Sequence, residues 1–203
     1  MRYITYVHPT DGERVAVLED NNAFALEPGL RLIDLLGDDG ERLHEAGRRA
    51  LADPRQVRAV SEVTLRSPIP QPPTVRDYMT FESHLEGVMK LTDPRAAIPA
   101  EWYHAPAFYF TNPYAVIGPA DPVPIAPGSH AFDLELEVAA GTWVKPGDVL
   151  GSGTCGGGCL AELWGRKGRD AHPALAPGDS VTVTVDRLGS LTTRIAADSE
   201  VAG

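Results

Sequence analysis

A chain of 203 residues, 43% of them hydrophobic, carries enough apolar side chain for a packed core, in one large domain or a medium one with a small one attached. Its formal charge of −10 at pH 7 argues against a nucleic-acid scaffold and against binding to anionic membrane surfaces. No apolar run approaches the roughly 20 residues that span a bilayer, and polar residues follow Met1-Arg2-Tyr3-Ile4 at once without a signal-peptide pattern, so a soluble, cytoplasmic protein is expected.

In chain order, Arg2 to Val7 and Arg14 to Leu18 read as short strands joined by the turn-forming Pro9-Thr10-Asp11-Gly12. Leu30 to Leu36 and Glu41 to Leu51 read as helical, the second with Leu43, Ala46, Ala50 and Leu51 on one side, and Pro54 ends it. Val57 to Leu65 reads as another strand. The stiff run Pro68-Ile-Pro-Gln-Pro-Pro73 then marks a boundary. Residues 1–66 are expected to form a small N-terminal α/β accessory domain, and 67–203 the main domain. Past the boundary, Tyr78 to Leu91 reads as a helix with Phe81, Leu85, Val88 and Met89 on one side. Residues 94–127 are irregular, rich in proline and aromatics. Phe132 to Ala140 alternates as a strand, and Ser180 to Ala196 reads as a hairpin turning at Leu188-Gly189-Ser190-Leu191. The expected fold class is α+β, mostly β.

The segment Phe132-Asp-Leu-Glu-Leu-Glu-Val138 carries the strongest chemical signal. Side chains alternate along a strand, so Glu135 and Glu137 point the same way, and two carboxylates on one rigid face can grip a hard divalent cation. An ordinary half-buried strand with solvated acids gives the same pattern. Asp77 and His84 lie seven residues apart, nearly two helical turns, and could share a pocket if one helix carries both. Asp77 as a helix N-cap and His84 as an ordinary histidine are the plain alternatives. The glycine-rich stretch 147–158 offers close backbone approach and free N–H groups but lacks the lysine and spacing of a phosphate-binding P-loop. Glu162 lies among apolar residues just after it, where a buried acid would orient a histidine. Cys155 and Cys159 lack Cys-x-x-Cys spacing, and no second His or Cys pair lies nearby in sequence to complete a zinc set, so reduced thiols are expected.

Taken in order, these pieces resemble the fumarylacetoacetate hydrolase family. The resemblance rests on the proline-rich lead-in, Asp77 followed by His84, Tyr109-Phe-Thr-Asn-Pro-Tyr-Ala-Val-Ile-Gly-Pro, and Asp133-Leu-Glu135-Leu-Glu137. Gly147-Asp-Val-Leu-Gly-Ser-Gly-Thr154, Leu160-Ala-Glu162-Leu and Pro177-Gly-Asp179 follow in the same order. It implies a mixed β-sandwich roll preceded by the accessory domain. It further implies Asp77, Glu135 and Glu137 as metal ligands, His84 as general base, Glu162 as its orienting carboxylate, and Tyr109 and Thr154 as substrate-binding residues. Oxygen-only ligands suit Mg²⁺, Mn²⁺ or Ca²⁺. The implied activity is metal-dependent hydrolysis of a C–C bond in a β-dicarbonyl or acylpyruvate-type acid, in a homodimer.

The chain also departs from the family. A long segment carrying a further metal-binding aspartate and a lysine is expected between the two motifs, whereas Ala139-Ala-Gly-Thr-Trp-Val-Lys-Pro146 bridges them directly, so the catalytic domain is shortened between 138 and 147. Asp133, Asp148 and Lys145 stand as substitutes. Three other readings follow: a 2-oxo acid (oxaloacetate-like) decarboxylase, a non-catalytic relative that binds a small dicarboxylate or serves as a dimerisation module, and a purely structural acidic β protein.

Overall fold

The computed structural model describes residues 1–140 and 146–198. They fall into two compact units, described separately.

The first unit comprises Met1–Thr74, Asn112–Asp121 and residues 146–148. Strands β1 (Arg2–His8) and β2 (Gly12–Glu19) form the expected hairpin around Asp11. Strand β3 (Asn22–Ala25) follows through Asp20 and Asn21, both at positive φ, where Asp and Asn are the non-glycine residues best tolerated. A 3₁₀ turn over Leu32–Leu35 replaces the expected helix at 30–36. Its Leu32 and Leu35 are buried, and the Arg31 side chain is paired to Asp34. Helix α1 (Glu41–Ala52) forms as expected. The expected strand 57–65 is broken into β4 (Val57–Ala59), a 3₁₀ turn and β5 (Thr64–Arg66). The reason is pairing: β4 hydrogen-bonds β3 and β5 hydrogen-bonds β1, at opposite edges of the order β4-β3-β2-β1-β5. One straight strand cannot serve both edges. Val15, Ala16 and Val17 are all buried because both faces of β2 are covered. Val15 and Val17 join Leu26, Leu32, Leu35 and Ala50 on one face; Ala16 joins Tyr6 and Ala23 on the other.

The second unit comprises Val75–Thr111, Pro122–Ala140 and residues 149–198. It opens with β6 (Val75–Tyr78), followed by helix α2 (Glu82–Met89). The expected helix from Tyr78 therefore begins later, because Val75–Tyr78 is paired on both sides: antiparallel to β7 (Phe108–Thr111) and parallel to β10 (Val149–Gly151). The short β8 (Val123–Pro124) and β9 (Ala139–Ala140) intervene in sequence, and β9 closes the order β7-β6-β10-β9. The expected strand 132–140 is reduced to β9. Residues 132–138 do run beside the glycine-rich loop, with Leu136 donating to Gly158 O at 3.0 Å and Cys155 donating to Leu136 O at 3.0 Å. The loop turns at Gly153 and Gly157, both at positive φ, so no regular ladder forms.

Helix α3 (Leu160–Lys167) follows the loop and lies against α2. The crossing is glycine on glycine: a Cβ on Gly165 would overlap Gly87 O, and one on Gly87 would overlap Glu162 Cγ. The buried face of α2 is therefore His84 and Gly87, and Phe81, assigned to the apolar side from sequence, is exposed. The closing hairpin forms as expected, as β11 (Ser180–Val185) and β12 (Gly189–Ala196), with β8 added parallel to β12. The fold is mixed α+β, as expected. Among the described residues, no helix is long and apolar enough to cross a membrane.

A carboxylate cluster beside a histidine–glutamate pair

The sheet register builds the first half of the site. Asp77 pairs with Tyr109 across β6 and β7, and with Gly151 across β6 and β10. Directly opposed residues share a face, and the Tyr109 hydroxyl donates to Asp77 Oδ2. Gly151 leaves room for Glu137: with the carboxylate in its present position, a Cβ there would overlap Glu137 Oε2. That gap lets the carboxylate from the 132–138 segment reach the strand bearing Asp77. As a result, carboxylate oxygens of Asp77, Glu135 and Glu137 lie within 4.8 Å of one another.

The electrostatics follow from this crowding. Burial, then the charge of Asp77 and a hydrogen bond with it, then Glu135, push the Glu137 carboxyl up to about 7, against one backbone N–H donated by Gly153. The same negative charges, with the hydrogen bond to Asp77 foremost, raise Tyr109 well above the usual phenol range. A bound divalent cation would offset this repulsion between carboxylates. Three oxygen donors at this spacing fit a hard divalent ion of the Mg²⁺, Mn²⁺ or Ca²⁺ class.

The second half is built by the two helices. His84 on α2 is 7% exposed and Glu162 on α3 is 3% exposed. His84 Nδ1 faces Glu162 Oε2 at 3.6 Å. Glu162 is fixed from two other directions: Gly157 N–H donates to Oε2 at 2.7 Å, and Arg166 Nε donates to Oε1 at 3.1 Å. Arg166 also donates to Ser83 O, so it ties α3 to the first turn of α2. Glu135 joins the halves, because a carboxylate oxygen of Glu135 lies within 4.8 Å of a ring nitrogen of His84.

Thr154 is buried in the loop three residues past β10. Asp77 and His84 do not share a helix: one is on a strand and the other on α2. Asp133 is not among the clustered acids. Its Oδ1 accepts from Leu160 N at 2.8 Å and its Oδ2 from Ala161 N at 2.5 Å, which caps α3. Asp148 is buried outside both groups, and Lys145 and the bridging residues 141–145 lie outside the described residues.

Two participants escaped the sequence reading. Arg166 stands four residues after Glu162, an i, i+4 spacing that was available as a signal. Cys159 was set aside for want of a nearby partner in sequence, yet the fold brings His84 Nδ1 to 3.7 Å from its sulfur. The thiol is 4% exposed, and Cys155 and Cys159 are both free. Burial raises the Cys159 thiol, opposed by the Glu162 N–H it accepts.

Comparison with known proteins places the fold. Residues 139–196 match the family model described as fumarylacetoacetate (FAA) hydrolase C-terminal. No curated protein matches the chain by sequence. The maleylpyruvate hydrolase of Sphingobium sp. SYK-6, solved in complex with manganese(II) ion and pyruvate, is similar over 97% of this chain and 99% of its own, at 14% identity and a TM-score of 0.60. The 5-carboxymethyl-2-hydroxymuconate delta-isomerase of Mycobacterium smegmatis is similar over 98% of this chain and 100% of its own, at 12% identity and a TM-score of 0.58. The resemblance read from the sequence is thus borne out: the family's C-terminal signature is present, and the fold extends over nearly the whole chain.

Proposed function

We propose that this chain of fumarylacetoacetate hydrolase type is a metal-dependent hydrolase that cleaves a C–C bond in an acylpyruvate-type acid. The observation that carries the reading is the convergence of Asp77, Glu135 and Glu137 within 4.8 Å, with His84 Nδ1 3.6 Å from Glu162 Oε2 and beside Glu135. The manganese and pyruvate of the Sphingobium neighbour support a divalent cation and a 2-oxo acid as the ligand classes.

Asp77, Glu135 and Glu137 would hold the cation. Bound there, a divalent ion supplies Lewis acidity to a carbonyl oxygen of the substrate. The chain's residues do the rest. With Nδ1 turned to Glu162, His84 has Nε2 free to accept a proton from water. Glu162, fixed by Gly157 and Arg166, balances the imidazolium that results. The hydroxide adds to the acyl carbonyl carbon, and the C–C bond breaks. Its electron pair passes to the 2-oxo acid fragment as an enolate, and the proton held on His84 returns to that carbon. The products are a carboxylic acid and a 2-oxo acid. Tyr109 donates to Asp77 and so fixes the orientation of that carboxylate. Buried Thr154 is assigned to substrate contact, and a small-molecule oxo acid is the partner.

The test is turnover of an acylpyruvate series with Mg²⁺ or Mn²⁺, beside His84→Asn. A loss of about 10²–10⁴-fold in kcat for the variant is expected for removal of a general base. Equal rates in both proteins would sink the reading, and turnover of oxaloacetate alone would replace hydrolysis with decarboxylation.

A further inference from the structure

We propose that Cys159, His84 and Glu135 form a second metal site, one that takes a thiophilic divalent cation of the zinc class. The three ligand atoms lie within 4.8 Å of one another. A tetrahedral zinc with bonds of about 2.3 Å to sulfur and 2.0–2.1 Å to nitrogen sets those two atoms about 3.5 Å apart. Cys159 Sγ and His84 Nδ1 are 3.7 Å apart, close to that edge length with no metal to draw them in. Both side chains are more than nine-tenths buried. The sulfur accepts Glu162 N–H at 3.4 Å, an amide at the start of α3 that favours a thiolate. As the metal–sulfur bond forms, the thiol proton passes to solvent.

Ligand softness separates this site from the carboxylate cluster. One sulfur, one nitrogen and one oxygen select zinc-class ions, whereas the all-oxygen set of Asp77, Glu135 and Glu137 selects Mg²⁺ or Ca²⁺. Glu135 belongs to both groups, and His84 as a ligand loses the lone pair with which it would deprotonate water. A thiophilic ion is therefore an inhibitor. That consequence rests on the reading of His84 as general base, whereas the binding itself does not.

Cobalt(II) titration of the reduced full-length protein tests the binding. One equivalent should produce a thiolate-to-cobalt charge-transfer band that persists in excess Mg²⁺ and is abolished by Zn²⁺. Cys159→Ser should lose the band and Cys155→Ser should keep it. His84→Asn and Glu135→Gln should each weaken cobalt binding by about 10-fold or more. No band in the wild-type protein overturns the proposal without need of any variant, and so does a band that follows Cys155. Mn²⁺ binding to Cys159→Ser, followed by electron paramagnetic resonance, reads the oxygen site separately. Mn²⁺ binding without the cobalt band removes the second site alone; the band without Mn²⁺ binding removes the carboxylate site alone.

Discussion

Divalent-cation binding to the carboxylate cluster should expel a proton from Glu137, in an amount that falls as pH rises. The carboxyl sits at about 7 against an ordinary 4.5, because burial and the neighbouring Asp77 and Glu135 disfavour its charge. Ionised fractions of about 0.1, 0.5 and 0.9 follow at pH 6, 7 and 8. Binding should then release about 0.9, 0.5 and 0.1 proton, and apparent affinity should rise about tenfold from pH 6 to 8, or about 1.4 kcal/mol. Stability of the metal-free protein runs the other way. Between 4.5 and about 7 the folded state holds more protons than the unfolded chain, so stability falls as pH rises through that window. The ceiling is about 3 kcal/mol, which contact with solvent reduces to about 1–2 kcal/mol. Saturating metal should remove the slope. Calorimetric Mg²⁺ titration in two buffers of different ionisation enthalpy counts the protons. A His84→Asn background removes the imidazole from that count. Proton release that is flat with pH, or unchanged by Glu137→Gln, would refute the reasoning.

Gly165→Ala should destabilise by about 1–3 kcal/mol, since its Cβ overlaps Gly87 O and lies 3.3 Å from Leu91 N; urea unfolding checks it, and an unchanged midpoint would contradict the close helix crossing. Tyr6→Phe should cost nothing or stabilise by up to about 1 kcal/mol, because the fully buried Tyr6 hydroxyl has no hydrogen-bond partner among the described residues; a loss above that size in the same assay would show a missed partner. Asp133→Ala should cost about 1–2 kcal/mol by uncapping α3, and calorimetry should still find a cation site, because Asp133 supplies no clustered oxygen.

Elements with a local signal of their own were legible: the β1–β2 hairpin by its turn residues, α1 by its helical spacing and the closing β11–β12 hairpin by its alternation. Elements held from outside were not. Val75–Tyr78 has no distinctive pattern and is a strand because β7 and β10 flank it. Residues 132–138 alternate cleanly yet form no ladder, because their neighbour is a turning glycine loop. At the site, the carboxylate spacing of Glu135 and Glu137 was readable from parity alone. The approach of Cys159 to His84, 75 residues apart in sequence, depends on two glycines meeting between helices, which no local window contains.

The segment 132–138 has a role beyond carrying two acids. At one end Asp133 holds the first amides of α3; two and four residues later come Glu135 and Glu137. One short stretch of backbone thus joins the carboxylate cluster to the helix that bears Glu162. Fraying of that helix and vacancy of the cluster are linked free energies: whatever steadies one end steadies the other. If the cluster takes a cation, the amides of Leu160 and Ala161 should serve as native reporters, their hydrogen-exchange protection rising with occupancy of carboxylates they do not bond.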